Sequence, residues 1–162
     1  MHSVRFVAAL GLLLLPQGSL PRFEEYPVHE HFTASPAPVA VVHDPQARKF
    51  RTRLRAGAAK GPNFAGHYTV VTWRAGFPYG AMLAIVDATN GQVAFGPDIM
   101  FSAQYRLDSS LLIVDPPERV RAFFDKNPAD PLRHAAQTVY YHWDGRRLIP
   151  LDSALVYPPH AP

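Results

Sequence analysis

Three stretches between residues 68 and 95 alternate or run apolar over strand-like lengths: Tyr68–Trp73, Met82–Asp87 and Gln92–Phe95. The last two are joined across Asn90-Gly91, the strongest short-range hairpin signal. Strands this close in sequence can pair only antiparallel, because parallel pairing needs a long crossover. Leu111–Asp115 is almost continuously apolar and predicts a central strand buried on both faces. Thr138–Trp143 and Arg146–Leu151 flank Asp144-Gly145 and predict a closing hairpin. Two stretches have helical spacing instead. Asp44-Pro45 supplies an N-cap acceptor and a first-turn proline, and Ala47, Phe50, Arg51 and Leu54 then fall on one stripe, with Gly57 as the stop. Arg51, inside that stripe, is expected to be buried against a carboxylate. Pro116-Pro117-Glu118 opens a second helix that turns Val120, Phe123 and Phe124 inward. The expected fold is α+β: a single antiparallel sheet, a meander of hairpins with about five to seven strands, carrying two or three short helices packed on it.

The ends of the chain follow other patterns. Phe6–Leu15 is an apolar run of 10 residues after a weakly positive start (His2, Arg5), closed by Pro16-Gln17-Gly18. That suits a signal peptide and falls short of the roughly 20 residues that span a bilayer. Residues 1–20 are therefore expected to be an export signal cleaved between about Gly18 and Glu24, or, if uncleaved, an N-terminal anchor whose residues 6–15 make the only membrane contact. Residues 21–43 form a proline-rich extended lead-in in which Val28–Phe32 predicts a short edge strand. The single globular domain is placed at 44–157 and a tail at 158–162.

Composition narrows the chemistry. There are 162 residues, enough for one core, and no cysteine, which excludes thiolate metal sites, thiol catalysis and disulfides. A net charge of +3 is far from the density of a dedicated nucleic-acid binder, and no nucleic-acid partner is expected. No glycine-rich phosphate loop, nucleophile elbow or nucleotide fingerprint occurs, and no cofactor is expected.

Four blocks resemble a family of small, uncharacterised exported bacterial proteins. They are Phe50-Arg51-Thr52-Arg53-Leu54-Arg55, Gly61-Pro62-Asn63-Phe64-Ala65-Gly66-His67-Tyr68, Ile85–Val93 and Arg106–Val114. The resemblance spans roughly Asp44–Leu151, and its most specific part is Asn-Phe-Ala-Gly-His-Tyr. In that family the strand matching Tyr68–Trp73 runs into a Gly-Cys-Gly-x-x-Cys loop. Here Gly76 is kept, while Ala75 and Tyr79 stand at the two cysteine positions. The resemblance implies an exported protein whose cysteine pair has been lost together, and it supplies no reaction and no catalytic residues.

His67 is the sharpest candidate for chemistry. It follows glycine at a turn-to-strand junction, where backbone can approach a ligand; the plainer reading has its ring bonding a carbonyl and pinning the turn. Asp87 and Asp108 are its candidate carboxylate partners, although both are also residues that turns select. Tyr68 and Trp73 are expected in the core. His29 and His31 share a strand face about 6–7 Å apart, and with His43 they make a weak candidate metal set, opposed by the reading of an exposed polar edge. Arg48, Lys49, Arg51, Arg53, Arg55 and Lys60 make a basic helix whose plain reading is a solvated face. Arg74, Phe77 and Tyr79 form a loop with exposed aromatics of the kind that anchor partners. These features predict a non-enzymatic cell-envelope (periplasmic or secreted) domain that binds another protein through His67, Arg74, Phe77 and Tyr79. The alternatives are a small hydrolase or ligand-binding enzyme centred on His67, and an accessory subunit of a membrane complex.

Overall fold

Strands that are apolar on both faces need cover on both sides, and that requirement sets the architecture. The computed structural model describes residues 19–74 and 80–158. The apolar run Phe6–Leu15, the loop residues Phe77 and Tyr79, and positions 159–162 of the tail lie outside the described residues. Strands β1 (Tyr68–Arg74), β2 (Ala81–Asp87) and β3 (Val93–Phe95) form one antiparallel sheet in that order. The β1–β2 register runs from Tyr68 opposite Asp87 to Arg74 opposite Ala81 without a bulge. Period-two alternation then sends Tyr68, Val70, Leu83 and Ile85 to one face, and Val71, Trp73, Ala84 and Val86 to the other. Tyr68 and Trp73 are both core residues, as expected, on opposite sides of the sheet.

Helices cover only the second face. There α1 (Pro45–Lys49) and α2 (Arg51–Ala58) bring Ala47, Leu54 and Ala58, joined by Val39 and Val41 of the lead-in. The first face is covered by a second antiparallel sheet, β4 (Ala103–Tyr105), β5 (Leu111–Val114), β6 (Gln137–Trp143) and β7 (Leu148–Leu155), paired in that order. Its Leu112, Val114 and Trp143 pack on the first sheet. The fold is thus α+β with antiparallel sheets, but the single sheet of the sequence reading is divided in two and stacked. Two short helices cannot cover both faces of β1 and β2, so after Gly96-Pro97-Asp98 the second half of the chain folds over the first. Ile99, which exchanges two backbone bonds with Ala81, is the last backbone tie to the first sheet among the described residues. β5 is the buried central strand that its apolar run predicts.

Several local expectations change. The predicted single helix breaks at Phe50 (φ −103°, ψ 13°), whose ring leans on Trp73 at 5.0 Å. The break turns Arg51 outward. It is exposed, and its guanidinium donates to the Arg48 carbonyl at 3.2 Å rather than meeting a buried carboxylate. The helix runs on through Gly57, where a Cβ would lie 2.5 Å from Val71 Cγ2, so the missing side chain serves close helix–sheet contact. Helix α3 (Pro117–Phe124) forms where expected and buries Val120 and Phe124 with Ala136 and Val156. β4 has no counterpart in the sequence reading. β7, an edge strand, carries Pro150 and a bulge opposite Tyr140–Tyr141, two features that discourage edge-to-edge pairing.

Val28–Phe32 is not a strand. The lead-in is an extended strap over the body, tied by Val28 N–H to the Asp108 carbonyl, Phe32 N–H to Gly66, Ala37 N–H to Ala88 and Ala40 N–H to Gly91, each at 2.8–2.9 Å. Phe23 and Tyr26 pack on the outer side of the second sheet against Leu111, Ile113 and Tyr140. Arg106 clamps the strap start, donating to Asp108 at 2.9 and 2.7 Å and to Glu24 at 2.9 Å. Its hydrogen bonds hold the Asp108 carboxyl below the ordinary value.

Candidate functional site

The Asn63–Tyr68 block is a junction between the two sheets. The Asn63 side chain imitates a neighbouring strand, accepting from Val70 N–H at 2.8 Å and donating to the Val70 carbonyl at 3.2 Å. Phe64 is fully buried, and its N–H donates to the Tyr68 carbonyl. Ala65 and Gly66 are both left-handed (φ 43° and 80°) and donate to the 106–109 turn of the second sheet, at Arg106 and Ser109 and at Leu107 respectively. Each of these residues thus has a structural task. His67 differs. Its ring is 37% exposed, stacks on Tyr68 with centroids 4.0 Å apart, and makes no hydrogen bond among the described residues, so the expected bond to a carbonyl is not present.

Beside this junction lies a cleft of about 300 Å3 between the first sheet and the β6–β7 turn. Tyr68, Ile85, Val93, Ala94 and Trp143 line its apolar part; Asp87, Gln92 and Arg146 supply its polar groups. Tyr68 and Trp143 meet edge-to-face at 5.2 Å, and the Tyr68 hydroxyl makes a long 3.4 Å bond to the Gly145 carbonyl. Burial pushes the Tyr68 hydroxyl above its ordinary value; the Trp143 N–H acts against this, and the Asp87 and Asp144 carboxylates add to the rise. The hydroxyl therefore stays protonated at neutral pH. The Trp143 indole N–H is buried without a hydrogen-bond partner of normal geometry.

The structure brings His67 to one of its two candidate carboxylates. His67 Nε2 lies 4.0 Å from Asp87 Oδ1, beyond hydrogen-bond reach. That carboxylate is already engaged by its own turn: Oδ1 accepts from Thr89 N–H at 2.8 Å and Thr89 Oγ1 at 2.6 Å, and Oδ2 from Asn90 Nδ2 at 3.0 Å. Asp108 belongs to the Arg106 clamp instead. Arg74 is exposed at the far end of β1, about 20 Å along the strand from His67, so those two do not share a site. His29, His31 and His43 are all exposed, and among the described residues no group of three or more His, Asp or Glu side chains is placed to hold a metal ion.

Sequence reading missed the cleft because no local signal carries it. Gln92, Trp143 and Arg146 sit on two hairpins of different sheets and meet only once those sheets stack. No family model, curated protein or solved structure matches the chain. No helix among the described residues is long and apolar enough to cross a membrane.

The His67 geometry has a direct energetic consequence. A half-exposed ring without a hydrogen bond contributes little beyond its contact with Tyr68, so His67→Ala lowers stability by about 1 kcal/mol or less. Denaturant unfolding checks this; a loss of about 3 kcal/mol would assign the ring a buried structural role it does not have here.

Proposed function

We propose that this chain is an exported cell-envelope domain that binds another protein without transforming it, and that the cleft between the sheets receives a side chain of that partner. One observation carries the reading: an aromatic-walled recess, formed by Tyr68 and Trp143, flanked by a carboxylate, an amide and an arginine. Recesses of this composition suit recognition, the apolar wall supplying affinity and the few polar groups orientation. The export part rests on the N-terminal pattern and on the family resemblance.

The 4.0 Å approach of His67 to Asp87 favours a second reading, an enzyme centred on His67. It is the weaker one. The Asp87 oxygens already accept three bonds from the 89–90 turn, and the Thr89 hydroxyl donates to Asp87 rather than facing the ring as a nucleophile would.

Site-specific photocrosslinking in the native host separates the two. A crosslinker at Arg146, on the cleft rim, is expected to yield a discrete protein adduct, and one at the exposed Arg119 of α3 none. Gln92→Trp, which fills the cleft from its exposed side, should abolish the Arg146 adduct. Equal labelling from both positions, or an adduct indifferent to Gln92→Trp, overturns the reading. A small-molecule turnover abolished by His67→Ala would replace it with the enzyme.

A further inference from the structure

Charge is distributed unevenly over this molecule. Six of its sixteen Lys and Arg residues, Arg48, Lys49, Arg51, Arg53, Arg55 and Lys60, fall within thirteen positions that contain no Asp or Glu. As the whole chain is only +3, the remainder is −3. All six side chains are exposed, on the solvent side of the helix pair that covers the first sheet. Among the described residues none of them pairs with a carboxylate. The ion pairs among the described residues lie elsewhere, at Arg22, Arg106 and Arg147, with the His67–Asp87 approach the remaining close contact of this kind. Arg48 and Arg51 reach only backbone carbonyls, of Val42 and Arg48, and so hold their charge in place without neutralising it.

A second observation lies beside this face. Val42, whose carbonyl Arg48 holds, is 65% exposed, the most open large apolar side chain among the described residues. Uncompensated cations with an outward-pointing aliphatic group beside one of them, Arg48, match the interface of an anionic bilayer, where phosphates meet the charges and the acyl boundary accepts the apolar side chain. A nucleic acid fits less well. Of the six cations only Arg55 lines a recess, one walled otherwise by Pro36–Val39 and alanines, so the charges do not line a common groove among the described residues. The nearby aromatic ring, Phe50, faces inward onto Trp73 and offers no base a stacking platform.

We propose that the α1–α2 face docks the protein reversibly on an anionic phospholipid surface, with Arg48, Lys49, Arg51, Arg53, Arg55 and Lys60 as the electrostatic contacts and Val42 as the residue that enters the interface. This does not depend on the cleft being occupied, and the cleft lies between the sheets rather than on the helix-covered face.

Vesicle cosedimentation of the full chain tests it. Pure phosphatidylcholine vesicles set the charge-independent baseline, and the contribution of the N-terminal segment with Arg5 to anionic binding is shared by every variant, so the comparison between variants isolates the α1–α2 face. Vesicles containing phosphatidylglycerol should bind about tenfold more tightly or better at about 0.1 M salt, with the excess lost at about 0.5 M. Arg51→Gln/Arg53→Gln/Arg55→Gln should return binding to baseline, while the triple lysine variant keeps it. Val42→Ser should weaken it severalfold at unchanged salt dependence. Gln92→Trp should leave it untouched, which separates this proposal from the fate of the cleft. Equal binding to both vesicle types, or a glutamine variant that binds like wild type, overturns the proposal. So does tighter capture of a duplex oligonucleotide or of polyglutamate than of anionic vesicles, which would assign the face to a linear polyanion or an acidic protein.

Discussion

Asp115→Ala lowers the stability of this protein by about 3–4 kcal/mol, at the extreme of single-substitution effects. Asp115 directly follows the central strand β5 with a left-handed backbone, φ 52°, a conformation that Asp and Asn tolerate better than Ala. Its carboxylate accepts from the N–H groups of Met100 (3.0 Å), Phe101 (2.7 Å) and Ser102 (3.2 Å), and its carbonyl accepts the Thr138 hydroxyl at 2.8 Å. One side chain thereby fixes the segment that leads from the first sheet into β4. Alanine strands three part-buried donors and adds backbone strain. Asp115→Gly removes the strain alone and recovers about 1 kcal/mol of the loss. Asp115→Asn keeps an oxygen for Phe101 and Ser102 and loses only about half as much as alanine. Denaturant unfolding of the three variants gives the order. An asparagine variant as unstable as alanine would show that the carboxylate does not organise this segment.

The second large effect is at Gly91→Ala. Gly91 is left-handed (φ +76°), and an added Cβ would sit 1.9 Å from the Pro38 carbonyl oxygen, which is backbone and cannot swing away. Gly66 repeats the arrangement at the other end of the strap, with φ +80° and a Cβ 2.2 Å from the Glu30 carbonyl oxygen. Each alanine combines left-handed strain with displacement of the strap, and a loss of about 2–4 kcal/mol is expected. Hydrogen exchange locates the damage. In Gly91→Ala the amides of Ala37 and Ala40, bonded to Ala88 and Gly91, should lose protection while Leu112 in β5 keeps it. Uniform loss across the strap and β5 would mean that strap and sandwich unfold as one unit.

Local signals in this sequence were legible where local forces decide the outcome. Asn90-Gly91 and Asp144-Gly145 mark real hairpin turns, in which Asp87 and Asp144 bind the turn backbone. Asp44 caps α1, accepting from Gln46 and Ala47 N–H groups. What could not be read is set by pairing across distance. β4 is three residues of no marked pattern, a strand only because β5 and Asp115 hold it. The division into two sheets follows from how many helices are available to cover β1 and β2, a count over the whole chain. The strap is extended but unpaired as a strand, since its partners are the turns at 66, 88–91 and 108. The candidate site shows the same division. His67 stood out because its junction is local, whereas Gln92, Trp143 and Arg146 acquire a common purpose only through stacking of the sheets.

The strap also fixes an order of events. Every group that ties residues 28–40 down belongs to a segment made later: Gly66, Ala88, Gly91 and Asp108. The Arg106 clamp on Glu24 closes over a gap of 82 residues. The strap is therefore made before everything that holds it: none of these bonds can form until Gly66 has been made, and the set is complete only after Asp108. On the export reading proposed above, a chain handed over in that interval would still be open along its strap.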